Sequence, residues 1–220
     1  MLAIDLVTDS ILPLHTSDTI RKAQDRMAEF RVRHLPIVNE QQFLGLLADT
    51  DLISEPDDQT HIGALGLSLI NPYVLEHQHI YDVMRLFYEQ QLTVVPVLNA
   101  TRDYLGMISV NTMTEYFATL VSSTDPGGII VLEIANRDNS LAHMAQIVES
   151  DNAQVLSSYI RSFPDSTRLE VTLKVNKLDI SSIVATFLRY GYDVKATFNH
   201  TDPDDGTRDR YDSLMNYLNI

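Results

Sequence analysis

The chain has 220 residues, of which 45% are hydrophobic and 21% charged, with a formal net charge of -14 and no cysteine. This is the composition of a folded protein of one large or two modest domains, not of a disordered tail. It excludes disulfides, thiolate metal sites and cysteine nucleophiles. The acidic balance repels phosphate backbones, so neither nucleic acid nor a membrane is expected as a partner.

The segment Met1–Asp9 carries acids and no basic region ahead of its apolar residues, unlike a signal peptide. No apolar run reaches membrane-spanning length, so a cytoplasmic location is the expectation. Ile20, Ala23, Met27 and Phe30 then fall on one helical stripe, with Thr16, Ser17 or Asp18 as the expected N-cap. Leu35-Pro36-Ile37-Val38 reads as a strand buried on both faces, Asn39–Gln42 as a turn, and Phe43-Leu44-Gly45-Leu46-Leu47 as its partner strand. Asp51-Leu52-Ile53 is expected to begin a closing helix, and Glu55–Thr60 to form an exposed connection.

The same order then recurs. Ile80, Val83, Met84 and Phe87 form a second helical stripe. Val95-Pro96-Val97-Leu98 is followed by Asn99–Asp103 as a turn, Tyr104-Leu105-Gly106-Met107-Ile108 as a strand, and Thr112–Leu120 as a helix. A unit of this size cannot hide its apolar faces alone, and two stacked copies can. The twice-repeated pattern of helix, apolar-x-Pro-apolar-apolar, and Gly-apolar-apolar-[Ser/Thr]-x-x-Asp resembles the CBS domain. The resemblance covers residues 1–121, with copies at about 1–60 and 61–121, and implies a tandem pair with pseudo-two-fold symmetry.

Ser122–Gly128 is small, polar and turn-forming, and reads as the linker to a further domain at 129–199. Ile129–Ala135 is expected as a strand, Leu141, Met144, Ala145 and Val148 as a helical stripe, and Gln154–Ser162 and Arg168–Val175 as paired strands. In the latter, Leu169, Val171, Leu173 and Val175 alternate with Glu170, Thr172 and Lys174, as in a half-buried strand. Ile180, Ile183, Val184, Phe187 and Leu188 give the second helix, Gly191 a left-handed cap, and Tyr192–Phe198 the last strand. This βαββαβ order is the ferredoxin-like arrangement, and it resembles an ACT domain, so the fold class is α+β. Residues 200–220 are acidic and then helical, with Tyr211, Leu214, Met215 and Leu218 on one stripe.

A CBS pair followed by an ACT-like domain resembles the acetoin-utilisation type of regulatory protein. The resemblance implies a non-catalytic, allosteric sensor that forms a homodimer and takes an adenosine nucleotide in a CBS cleft. Ribose needs a carboxylate and phosphates need cations or amides. In the first copy Asp51 keeps the expected carboxylate while Ala48 replaces the hydroxyl. In the second copy Ser109 keeps the hydroxyl while Thr112 replaces the carboxylate. The candidate nucleotide site is therefore Asp51 with Arg33 and His34 near phosphate, and Thr93, Ser109 and Thr112 from the second copy. Asp51 as a plain helix cap is the structural alternative.

The ACT resemblance points to an effector turn at Asn136, Asp138, Asn139 and Ser140 and to an amino acid as its ligand, although the glycine usual in that turn is missing. His61, His77 and His79 do not complete a metal-ligand set, and 202–206 does not fit a calcium loop, so no metal is expected. No phosphate loop, nucleophile elbow, zincin motif or dinucleotide fingerprint is present, and neither catalysis nor a cofactor is expected. An adaptor with degenerate clefts, and an enzyme with an unusual site, are the competing readings.

Overall fold

A computed structural model describes residues 1–8, 10–53, 57–66, 69–135, 140–164 and 166–199. The stripe at Tyr211–Leu218 and the turn residues Asn136, Asp138 and Asn139 lie outside these. The chain divides into two compact units, Met1–Tyr116 and Phe117–Ile220. Each has its own apolar core.

In the first unit α1 (Ile20–Phe30) buries Ile20, Ala23 and Met27, and α2 (Ile80–Gln90) buries Ile80 and Val83. Both helices end on a non-glycine residue in the left-handed region, Arg31 and Gln91, each at φ 53°. β1 (His34–Asn39) pairs antiparallel with β2 (Gln42–Ala48). After the short β3 (Val74–Leu75), β4 (Val94–Leu98) pairs in the same way with β5 (Tyr104–Ser109). The irregularity in register falls at matching places, Ile37/Val38 and Val97/Leu98. Pro36 and Pro96 therefore occupy equivalent sites, opposite Leu46 and Met107. Leu14 lies parallel to β1 as Val74 lies parallel to β4.

The copies also exchange segments. The Thr8 amide donates to the Met107 carbonyl of β5 at 3.1 Å, and the Leu46 amide of β2 donates to the Ile70 carbonyl at 2.9 Å. The stretch before each copy thus pairs with the other copy's sheet. Backbone groups that would stand open at a sheet edge are satisfied reciprocally.

Two expectations need correction. Thr19 is the N-cap of α1, accepting from the Lys22 amide at 3.3 Å. Asp18 is engaged one residue earlier, where it accepts from the His15 amide at 2.9 Å and from Lys22 Nζ at 2.6 Å. Among the described residues the chain after β2 forms a 3-10 turn, Asp49–Leu52. A full helix begun there would run into Pro56, which has no amide to donate. The second copy has no such barrier, and α3 (Val110–Leu120) starts directly after β5.

The second unit contains β6 (Gly128–Ala135), α4 (Leu141–Glu149), β7 (Val155–Ser162), β8 (Arg168–Val175), α5 (Ser181–Arg189) and β9 (Asp193–Asn199). The sheet order is β7-β8-β6-β9 with all neighbours antiparallel, the ferredoxin-like arrangement. Met144, Ile147, Val148, Ile183 and Phe187 from the helices close on Ile130, Leu132, Val171, Leu173 and Val175 of the sheet. Gly191 takes φ 80° just past α5, as its left-handed role requires. One strand differs from the sequence pattern. Thr172 and Lys174, on the polar side of β8, are buried as well. β8 is an inner strand flanked on both sides, and Lys174 Nζ turns back to the Gly127 carbonyl at 3.3 Å.

Candidate functional site

The predicted nucleotide-site residues gather where β1 and β4 begin. The Asp49 amide donates to the Arg33 carbonyl at 2.8 Å, and the Val110 amide to the Thr93 carbonyl at 3.0 Å. Arg33 and Thr93 are thus equivalent positions in the two copies. His34 lies opposite Ala48 in register, and Val94 opposite Ser109. Asp51, Ser109 and Thr112 are thereby brought to the same end of the paired hairpins.

A set of hydrogen bonds crosses from one copy to the other. Thr93 Oγ1 accepts from the backbone amides of Arg33 at 2.9 Å and His34 at 3.1 Å. It also lies 3.1 Å from His34 Nδ1, and the Thr93 amide donates to that nitrogen at 3.2 Å. The imidazole is buried, at 8% relative exposure. Burial, and then the neighbouring Arg33 charge, hold its pKa below the ordinary histidine value, against the opposing pull of Asp49 and Asp51. Arg33 itself is exposed and meets Asp49 Oδ2 at 3.3 Å.

The split motif has a structural role in each copy. Asp51 Oδ2 accepts from the Ala48 amide at 2.8 Å, closing the 3-10 turn from its third position. Ser109 Oγ caps α3, accepting from the Thr112 amide at 3.1 Å, and lies 2.9 Å from Thr112 Oγ1. A capping box needs a hydroxyl at the N-cap and a carboxylate three residues on. Each copy retains one half of it. The Ser109 hydroxyl is buried and committed to this cap, whereas the Asp51 side chain is exposed.

Two apolar hollows flank the strand pairs. One, of about 220 Å³, is lined by Thr16, Ile37, Leu44, Ile62, Gly63 and Leu69, with Gly66. Its counterpart, of about 170 Å³, is lined by Thr8, Ile11, Leu12, Pro13, Tyr104, Leu105 and Gly106. None of the six predicted residues is among these linings. Sequence reading missed the hollows because half of each wall comes from connecting segments without a motif. Gly63, where an added Cβ would stand 3.1 Å from Thr16, was the available signal.

Two of the three histidines read as a metal alternative have other partners. His61 Nδ1 lies 2.8 Å from the Ser17 carbonyl, and His79 caps α2 by accepting from the Tyr81 amide at 3.3 Å. Among the described residues no group of three or more His, Asp or Glu side chains is placed to hold a metal, and no helix is long and apolar enough to cross a membrane.

In the second unit Ser140 caps α4, accepting from the His143 amide at 3.3 Å. Nearby, an open groove of about 500 Å³ is bounded by Glu133, His143, Arg168, Tyr190, Tyr192 and Asp193. Its polar groups pair with one another. His143 Nδ1 lies 2.7 Å from the Tyr192 hydroxyl. Arg168 bonds Glu133 and reaches Asp193 at 3.6 Å. Arg168 holds the Glu133 carboxyl below the usual carboxylate range.

Several solved structures are similar to this chain. A CBS domain pair/ACT domain protein from Thermotoga maritima is 23% identical with a TM-score of 0.48, covering 53% of this chain and 96% of its own. A structure described as that of an acetoin utilization protein (AcuB) from Vibrio cholerae is 18% identical with a TM-score of 0.48, covering 56% of this chain and 95% of its own. CBSX2 in complex with AMP is 19% identical with a TM-score of 0.45, covering 53% of this chain and 95% of its own. The family model of the CBS domain matches residues 3–58. Residues 3–58 thus match the CBS domain, and the second copy repeats the strands, register shift and exchanged segment of the first.

Proposed function

We propose that the protein is a non-catalytic regulator that senses an adenosine nucleotide in its CBS pair. The observation that carries this reading is the CBS match over 3–58 together with the convergence of Arg33, Asp49 and Asp51 beside the seam between copies. In this reading the apolar hollow on β1 and β2 receives the base, Asp51 accepts from the ribose hydroxyls, and the exposed Arg33 guanidinium meets phosphate. Binding acts by favouring one arrangement of the pair over another. The second unit supplies a homodimer contact or a second effector site for an amino acid, and the protein works in the cytoplasm. The adaptor reading draws on one specific observation: Asp51, Ser109 and Thr112 are all engaged in local caps.

Thermal melting with AMP, ADP and ATP separates the two. At ligand concentrations near 100 Kd, specific binding adds about 2.7 kcal/mol of stability and raises Tm by several degrees. Asp51→Asn keeps an oxygen for the Ala48 amide and removes the charge. It should leave the ligand-free Tm within about 1 °C, since one surface cap is preserved, and abolish most of the nucleotide shift. No shift with any of the three nucleotides at millimolar concentration would leave the adaptor reading standing.

A further inference from the structure

We propose that His34 and Thr93 form a proton-sensitive latch between the two CBS copies, closed while the imidazole is neutral and released when it is protonated. This goes beyond nucleotide sensing and holds for the ligand-free protein.

The hydrogen-bond bookkeeping assigns the tautomer. Thr93 Oγ1 already accepts two backbone amides, from Arg33 and His34. Its remaining capacity is its own proton, which points to His34 Nδ1 at 3.1 Å. The Thr93 amide donates to the same Nδ1 at 3.2 Å. A nitrogen that accepts from both groups carries no proton, so the ring proton sits on Nε2. Adding a proton at Nδ1 turns acceptor into donor. The Thr93 amide then faces another donor within a half-buried seam, and a donor left unsatisfied there is costly.

The charged groups around the ring act in opposite directions. Arg33, just before β1, opposes the second proton, while Asp49 and Asp51 on the turn after β2 favour it. From the second copy the ring meets the uncharged Thr93. The net shift is downward. The latch is therefore fully made above the unfolded histidine value of 6.5 and weakens as pH falls through that value toward the lower folded one.

Hydrogen exchange read by mass spectrometry on the full chain tests this, using protection factors for peptides spanning β1 and β4 at pH 7.5 and 5.5. The comparison is with His34→Asn, whose side-chain oxygen stands where Nδ1 was and does not titrate. Wild type is expected to lose more protection than the variant on acidification, by up to about tenfold, since one pH unit below the unfolded histidine value is at most tenfold in the opening equilibrium. Equal losses in the two proteins would overturn the latch. Should the variant fail to fold, nitrogen NMR of the wild-type ring gives an independent answer. A bare Nδ1 at neutral pH, with the Thr93 amide shifting along the His34 titration, supports the proposal. An Nδ1-protonated tautomer, or a titration midpoint at or above 6.5, removes it. Neither result depends on whether a nucleotide binds.

Discussion

Gly127→Ala is expected to disrupt the sheet of the second unit more than an alanine at any other described glycine of that unit. Gly127 has φ 154°, and a Cβ there would stand 1.9 Å from the Val175 carbonyl oxygen and 3.0 Å from its carbon. Both obstacles are backbone, and Val175 is fully buried in the register pair with Gly128. No rotamer can relieve the overlap, so β8 or the turn before β6 must move. The loss should be about 3 kcal/mol or more, the range of forced backbone strain combined with core disruption. Urea unfolding with hydrogen exchange on β6 and β8 reads the effect directly. A midpoint and protection pattern equal to wild type would show that the turn yields freely and that the clash is not a constraint.

The second large effect comes from a matched pair. Gly45 and Gly106 are equivalent residues of the two copies, at φ 149° and 150°. A Cβ at 45 meets Leu69 Cβ at 2.6 Å and the Ile70 carbonyl at 3.0 Å, whereas one at 106 meets the terminal Val7 Cγ1 at 2.4 Å, with the next atom at 3.7 Å. The backbone strain is shared and the obstacles differ. Val7 can turn a methyl away, but Leu69 Cβ moves only with its main chain. Gly45→Ala should therefore cost roughly 2–4 kcal/mol and Gly106→Ala about 1 kcal/mol less. Leu69 also lines the larger hollow; on the proposed reading that this hollow receives the base, nucleotide-induced stabilisation should fall in the first variant and persist in the second. Identical losses in stability would place the whole cost in φ and refute the steric difference.

Much of the architecture was legible because apolar period and proline position recur. The stripes at Ile20–Met27 and Ile80–Val83, and the runs through Pro36 and Pro96, became helices and strands within a residue or two. The strand Arg168–Val175 matches its expected bounds. What the sequence concealed was long-range. Nothing local announces that Thr8 belongs beside Met107, or that Ile70 belongs beside Leu46. The burial of Thr172 and Lys174 follows from an inner-strand position that alternation alone does not reveal. At the site, Arg33 and His34 were named as phosphate contacts and Thr93 as a residue of the same site, but their mutual geometry depends on two backbones meeting across the seam. A capping role for Asp51 is readable from an Asp ahead of Leu52-Ile53; that it caps from the third position of a 3-10 turn, on the Ala48 amide, is not.

The exchanged segments bear on how the first unit can assemble. Thr8 must find a partner almost at the far end of that unit, and Ile70 must reach back to the opposite hairpin. Such pairings close large loops late and slow the search for the native topology. Neither half can therefore be excised as a self-sufficient fragment: cut between them, and each retains an open sheet margin that only the other's leading segment can complete.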